Sequence, residues 1–144
     1  MLAKFFVGSL QADEISLEAL LDGASITAGD KTFSDWELIF TDASDPAFDP
    51  DLNNVLVTSL DDGGLDPGPG LNYDFGDEFS VTGDFFSYLD VMWGYLVTPA
   101  DGLLIKDVSL NWRASCTTCT DLGWVILQDI YDPTGDWLGQ LFQV

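Results

Sequence analysis

Histidine is absent from this chain of 144 residues, and only four lysines and arginines stand against 25 aspartates and glutamates. Without histidine, the chain cannot build a Ser-His-Asp or Cys-His nucleophile or a histidine-ligated metal site. With so few basic residues, it lacks the clustered cations that bind nucleic acid or an anionic membrane surface. The net charge of −21 therefore predicts that neither is a partner.

The sequence also lacks a phosphate-binding glycine motif, because Gly68-Pro69-Gly70 has the wrong context for a P-loop or a dinucleotide fold. No apolar run approaches the ~20 residues of a transmembrane helix. Carboxylate chemistry is what remains, and a glycoside hydrolase needs only two well-placed carboxylates. A solvated acidic surface is the simpler interpretation, so we predict that the protein is not an enzyme.

Apolar residues are plentiful by contrast: 47% of the chain is hydrophobic and 13% is aromatic, which suffices for a folded core. They recur at every second position in short runs separated by glycine, aspartate and proline, a pattern typical of antiparallel strands. The clearest run is residues 88–97, in which the odd-numbered side chains share one face. Further strands are expected at residues 33–40, 55–60, 71–75, 103–112, 122–131 and 137–144.

A short helix is predicted ahead of these strands, with Ser16 as its N-cap and Gly23 as the residue that ends it. No alternation of strands and helices follows, which argues against a parallel sheet. We therefore predict an all-β fold, an antiparallel and jelly-roll-like β-sandwich of about eight strands with a short N-terminal helix. Residues 13–144 would form this single domain.

Residues 1–12 allow two interpretations. One lysine, a short apolar run and small residues ahead of Asp13 match the end of a secretion signal in shortened form. Alternatively, residues 5–10 form an edge strand of the fold.

The loop of residues 41–54 is a candidate calcium site, because it crowds together four aspartates: Asp42, Asp45, Asp49 and Asp51. Ca²⁺ binds six to eight oxygen atoms in irregular geometry, and Asn53 and Asn54 would add neutral oxygens. The EF-hand spacing is absent, however, and Pro46 and Pro50 are equally typical of a solvated, Asx-rich loop. We expect no required cofactor, with Ca²⁺ as the one candidate.

The tryptophans divide into two groups. Trp36 and Trp93 share strand faces with aliphatic residues, which predicts that they belong to the core. Trp112, Trp124 and Trp137 lie close to turns, where an exposed indole ring could stack on a sugar.

Cys116 and Cys119 lie between two predicted strands and are separated by two residues. At a hairpin tip this spacing lets the sulfurs meet, provided that the Cα atoms come within about 4.4–6.8 Å of each other. We predict a disulfide in an exported chain, and the alternative is a pair of free thiols.

The segment GASITAGDKTFSDWELI, residues 23–39, resembles the opening of exported bacterial proteins that end in a PEP-CTERM sorting signal. The resemblance continues through residues 54–58, 69–73, 90–97, 104–110 and 135–144, and it covers the β-sandwich part of such proteins without the sorting tail. It implies export and a role at the cell surface or in the extracellular matrix. It supplies no catalytic residues.

The sequence therefore predicts a non-catalytic, secreted or cell-surface bacterial protein. The main alternative is a carbohydrate-binding module that uses exposed tryptophans, and the third is a carboxylate-dependent glycoside hydrolase. The expected partners are an extracellular polysaccharide or further copies of the same chain at the cell surface.

Overall fold

The structure, a computed structural model, describes residues 14–60, 69–83, 86–105 and 126–143. The chain divides into two compact units, Met1–Leu104 and Ile105–Val144. Most of the described residues lie in antiparallel strands, and helix is limited to two short pieces. The prediction of an all-β, antiparallel fold with little helix is therefore confirmed. The strand predicted at residues 103–112 lies mostly outside the described ranges.

Eight strands occur among the described residues: β1 (Glu14–Ser16), β2 (Ile26–Ala28), β3 (Lys31–Ala43), β4 (Leu56–Leu60), β5 (Gly70–Asp74), β6 (Leu89–Pro99), β7 (Ile126–Tyr131) and β8 (Trp137–Gln143). Helix α1 spans Leu17–Leu21, and a 3-10 turn spans Pro46–Phe48. In the first unit, β4 lies between β1 and β5 in one sheet, and β3 lies between β2 and β6 in another. In the second unit, β7 and β8 form an antiparallel hairpin.

The capping residues predicted for the helix are confirmed. The Oγ of Ser16 accepts a hydrogen bond from the amide of Ala19 at 3.2 Å, which satisfies one of the free N–H groups at the helix start. Gly23 follows the helix with a φ of 100°, a conformation that side chains disfavour. Because so short a helix is unstable alone, its stability comes from docking Leu17 and Leu20, which are fully buried.

The two sheets of the first unit share one apolar core, to which helix α1 also contributes. Val57 of β4 and Phe33 of β3 are both buried in it. The rings of Tyr73 in β5 and Trp93 in β6 lie 5.7 Å apart and join the sheets directly. Trp93, Tyr95 and Val97 of β6 pack against the core, and the even-numbered Asp90 is exposed, so the predicted alternation of this strand is confirmed.

Strand β3 departs from the predicted two-residue alternation. Asp35 has a φ of 51°, and the pairing with β6 shifts register between Ser34 and Glu37. This irregularity lets Phe33 and Trp36 both face the core although they are three residues apart. Farther along the strand the register shifts again between Leu38 and Phe40, and both side chains are exposed although alternation favours a half-buried face there.

None of the helices in the described ranges is long and apolar enough to span a membrane.

Candidate ligand-binding face

A network around Asp132 closes the hairpin of β7 and β8. Its Oδ1 accepts hydrogen bonds from the Thr134 hydroxyl at 2.7 Å, the Thr134 amide at 2.8 Å and the Asp136 amide at 2.9 Å. The Thr134 hydroxyl, followed by the backbone amides, holds the pKa of Asp132 below its usual range. Gly135 completes the turn with a φ of 88°. These bonds form a turn between the strands predicted at residues 122–131 and 137–144.

The register of the hairpin gathers polar and aromatic side chains on one face. Tyr131 pairs with Trp137, and Asp129 pairs with Gln140. Leu127 follows on the same face, because strand residues two apart point the same way. We call these five residues the Trp137 face. The register shift next to Tyr131 leaves Leu138 without a partner across the hairpin.

The two faces of the hairpin differ in their exposure. Trp137 is 61% exposed and Tyr131 57%, although both are large aromatic side chains. On the opposite face, Ile126, Ile130 and Leu141 are half-buried. The Trp137 face is therefore the more exposed face of the hairpin, and it carries an aromatic pair at one end and a polar pair beside it.

Asp129 holds the indole ring and the neighbouring amide in place. Its Oδ1 accepts a hydrogen bond from Nε1 of Trp137 at 3.3 Å and another from Nε2 of Gln140 at 2.9 Å. Its Oδ2 accepts no hydrogen bond from the described residues and stays open to a ligand. Three side chains from two strands are thus oriented together before any ligand arrives.

The hairpin itself is acidic. Residues 126–143 contain Asp129, Asp132 and Asp136 but no lysine or arginine. A ligand that carries negative charge would meet only like charges on this element.

The five tryptophans divide into two that lie outside the described residues, two in the core and one that is exposed. Trp112 and Trp124 lie outside the described residues, as do Cys116 and Cys119. Trp36 is only 6% exposed and Trp93 packs against the core, so the prediction that both are core residues is confirmed. Of the three candidate stacking residues, only Trp137 can be placed, and it is exposed.

The sequence singled out Trp137 but missed Asp129, Tyr131 and Gln140. The nearest signal for them is the turn Asp132-Pro133-Thr134-Gly135, which constrains how the flanking strands pair. That turn with the two-residue period would pair Tyr131 with Asp136, and the register shift next to Tyr131 is what places Trp137 opposite it instead.

The aspartates of the acidic loop are separately engaged in local hydrogen bonds. Oδ1 of Asp45 accepts from the amide of Ala47 at 2.9 Å, and Oδ1 of Asp51 accepts from the amide of Asn53 at 3.0 Å. Oδ2 of Asp42 accepts from the Tyr88 hydroxyl at 3.0 Å. Two of these bonds are the Asx turns of a solvated loop.

Glu78, which the sequence did not single out, ties this loop to a distant turn. Its carboxylate accepts hydrogen bonds from the amide of Asp51 and from Nδ2 of Asn54, both at 2.8 Å. Asp49 ends the 3-10 turn. Within the described ranges, no group of three or more acidic or cysteine side chains is arranged to hold a metal ion. The calcium site stays a prediction, and the observed bonds favour the Asx-rich alternative.

Comparison of the chain with protein-family models, with curated proteins and with solved structures gave no match. The resemblance to PEP-CTERM proteins stays a prediction.

Proposed function

We propose that this chain is a non-catalytic, exported protein of the bacterial cell surface or extracellular matrix. The observation that carries the proposal is the charge balance, with 25 acidic residues against four basic ones and no histidine. A large excess of one charge keeps a protein soluble, and a salty environment screens the self-repulsion that this charge causes. Among the described residues no charged side chain is buried, so their charges all lie at the surface.

Non-catalytic action is supported by the surroundings of the carboxyl groups. A general acid in a glycosidase needs a carboxyl whose pKa is raised by apolar surroundings. The hydrogen bonds to Asp132 instead lower its pKa and favour the charged form. Among the described residues, no aspartate or glutamate is buried.

We propose the architecture of an antiparallel, jelly-roll-like β-sandwich of about eight strands. Support comes from the first unit, in which two three-stranded sheets enclose one apolar core. The contact between Tyr73 and Trp93 has the character of inner-face packing between two sheets.

Carbohydrate binding is the second candidate function, and the exposed pair of Tyr131 and Trp137 specifically favours it. Self-association at the cell surface is the other partner class that we propose. The exposed Ile39, Met92 and Leu96 on β3 and β6 support it, because they place apolar surface in water.

Cell fractionation of the source bacterium tests export. An antibody against the purified chain should detect it in the culture medium or in a surface wash, with a cytosolic protein as the control for lysis. Detection in the cytosol alone would contradict the proposal. Hydrolysis of a polysaccharide by the purified chain, lost on replacing one carboxylate by its amide, would contradict the non-catalytic assignment.

A further inference from the structure

We infer that the Trp137 face binds a neutral polysaccharide, with Trp137 and Tyr131 as the stacking platform and Asp129 and Gln140 as hydrogen-bonding groups. This inference deepens the second candidate function by naming its residues and its ligand class. It rests on carbohydrate binding and is independent of export.

The exposed aromatic pair is better suited to contact with a sugar ring than to contact with water. A pyranose ring presents a flat face of C–H groups, which packs against an indole or phenol ring while the hydroxyl groups stay solvated. Tyrosine and tryptophan combine large apolar area with a polar atom, and this suits a ligand that is partly wet. Trp137 and Tyr131 come from paired positions on adjacent strands, so both rings are presented on the same face of the hairpin.

The polar pair, Asp129 and Gln140, lies close enough to the aromatic pair to form hydrogen bonds with hydroxyl groups of the same polysaccharide. Successive same-face positions on a strand are about 7 Å apart, so the face from the aromatic pair to Leu127 extends about 14 Å. Oδ2 of Asp129 can accept a hydrogen bond from a sugar hydroxyl. The bonds from Trp137 and Gln140 to Oδ1 fix the carboxylate in advance, which lowers the entropy lost on binding.

Charge selects the class of polysaccharide. The hairpin has three aspartates and no basic residue, and the whole chain carries a net charge of −21. Uronic acid or sulfate groups would be repelled and would find no cation on this element. A neutral glycan has no such penalty, and its hydroxyl groups donate well to a carboxylate.

A pelleting assay with the full chain tests the inference. Insoluble cellulose and chitin serve as neutral probes, and immobilised polygalacturonate serves as the anionic one. The wild-type chain should pellet with at least one neutral probe and not with polygalacturonate at low salt. Trp137→Ala should weaken that binding by about tenfold or more, the ratio that corresponds to about 1.4 kcal/mol of lost stacking.

Matched variants separate binding from folding. Tyr88→Ala removes another exposed aromatic residue, 47% exposed and in the first unit, and should leave the affinity unchanged. Because cross-strand pairs also stabilise hairpins, circular dichroism is recorded for each variant. If Trp137→Ala fails to fold, Trp137→Phe replaces it; this change keeps an apolar ring, loses the bond to Asp129 and should give a smaller loss of binding.

Several results would overturn the inference. They are absence of wild-type binding to both neutral probes, equal binding to polygalacturonate, and unchanged affinity in folded Trp137→Ala. Dissociation of a dimer by Trp137→Ala, without sugar binding by the wild type, would instead identify the face as a contact between copies. Cell fractionation is measured separately, so failure here is distinguishable from failure of export.

Discussion

Replacing Tyr73 with phenylalanine should maintain or raise stability at pH 7 and increase resistance to alkali. The Tyr73 hydroxyl is buried and makes no well-aligned hydrogen bond with the described residues, although the side chains of Trp93 and Tyr95 lie near it. Its ring lies 5.8 Å from that of Phe75 and 5.7 Å from that of Trp93, and phenylalanine would keep both contacts. An unpaired buried polar group costs roughly 1–3 kcal/mol, so removing the hydroxyl should stabilise the fold by up to about 1 kcal/mol.

The alkaline effect follows from the ionisation of the phenol. Burial raises the pKa of Tyr73 above the ordinary value of 10.0, and the nearby Tyr95 raises it further. Below pH ~10 the hydroxyl is protonated in both the folded and the unfolded chain, so its ionisation does not affect stability. Above that pH the unfolded chain releases a proton that the folded chain retains, and stability falls. At pH ~11 the loss due to Tyr73 should be about 1.4 kcal/mol.

Urea unfolding at pH 7 and at pH ~11 measures both effects. The difference in unfolding free energy between the two pH values should be about 1.4 kcal/mol smaller for Tyr73→Phe than for the wild type. Tyr131→Phe is the matched control, since that side chain is 57% exposed and its hydroxyl is removed without relieving burial. A loss of more than about 1 kcal/mol at pH 7 would show that the Tyr73 hydroxyl has a partner, and would refute the reasoning.

Three further predictions concern the core, the cysteines and the acidic loop. Trp93→Ala should cost about 3–5 kcal/mol in urea unfolding, because three aromatic rings lose their partner; an unchanged midpoint would contradict the core assignment. Thiol titration of the unfolded, non-reduced chain should find Cys116 and Cys119 disulfide-bonded, and two free thiols would refute this. Ca²⁺ and Mg²⁺ at equal ionic strength should raise the melting temperature equally by screening; a larger shift with Ca²⁺, abolished by Asp49→Asn with Asp51→Asn, would instead establish a site.

Local signals explain which elements could be predicted from the sequence. The alternation of β6 and the cap and stop of α1 depend on residues within a few positions of each other. Ser16 caps any helix that begins directly after it, and Gly23 adopts the positive φ at which such a helix ends. Such local patterns predict the same element regardless of how distant parts of the chain fold.

The structure departs from the sequence predictions where the pairing of distant strands determines which side chains face the core. Asp35 adopts a φ of 51°, which the strand pattern does not predict. The register shift at this point turns Trp36 inward beside Phe33. The cost of that conformation is repaid by contacts such as the 4.6 Å approach of Trp36 to Tyr95 on the neighbouring strand. Such compensation depends on a residue about 60 positions away and is therefore invisible to a period count.

The number of acidic residues alone does not reveal what they do in the fold. Asp45, Asp51, Asp74 and Asp132 each accept a hydrogen bond at Oδ1 from the backbone amide two residues later. This repeated Asx geometry explains why an Asx residue is needed at each turn. It does not explain the charge, because the carbonyl oxygen of asparagine could accept the same bond. The turns therefore account for the positions of these acids but not for their charge, and we propose that an exported, salt-screened environment permits aspartate in place of asparagine.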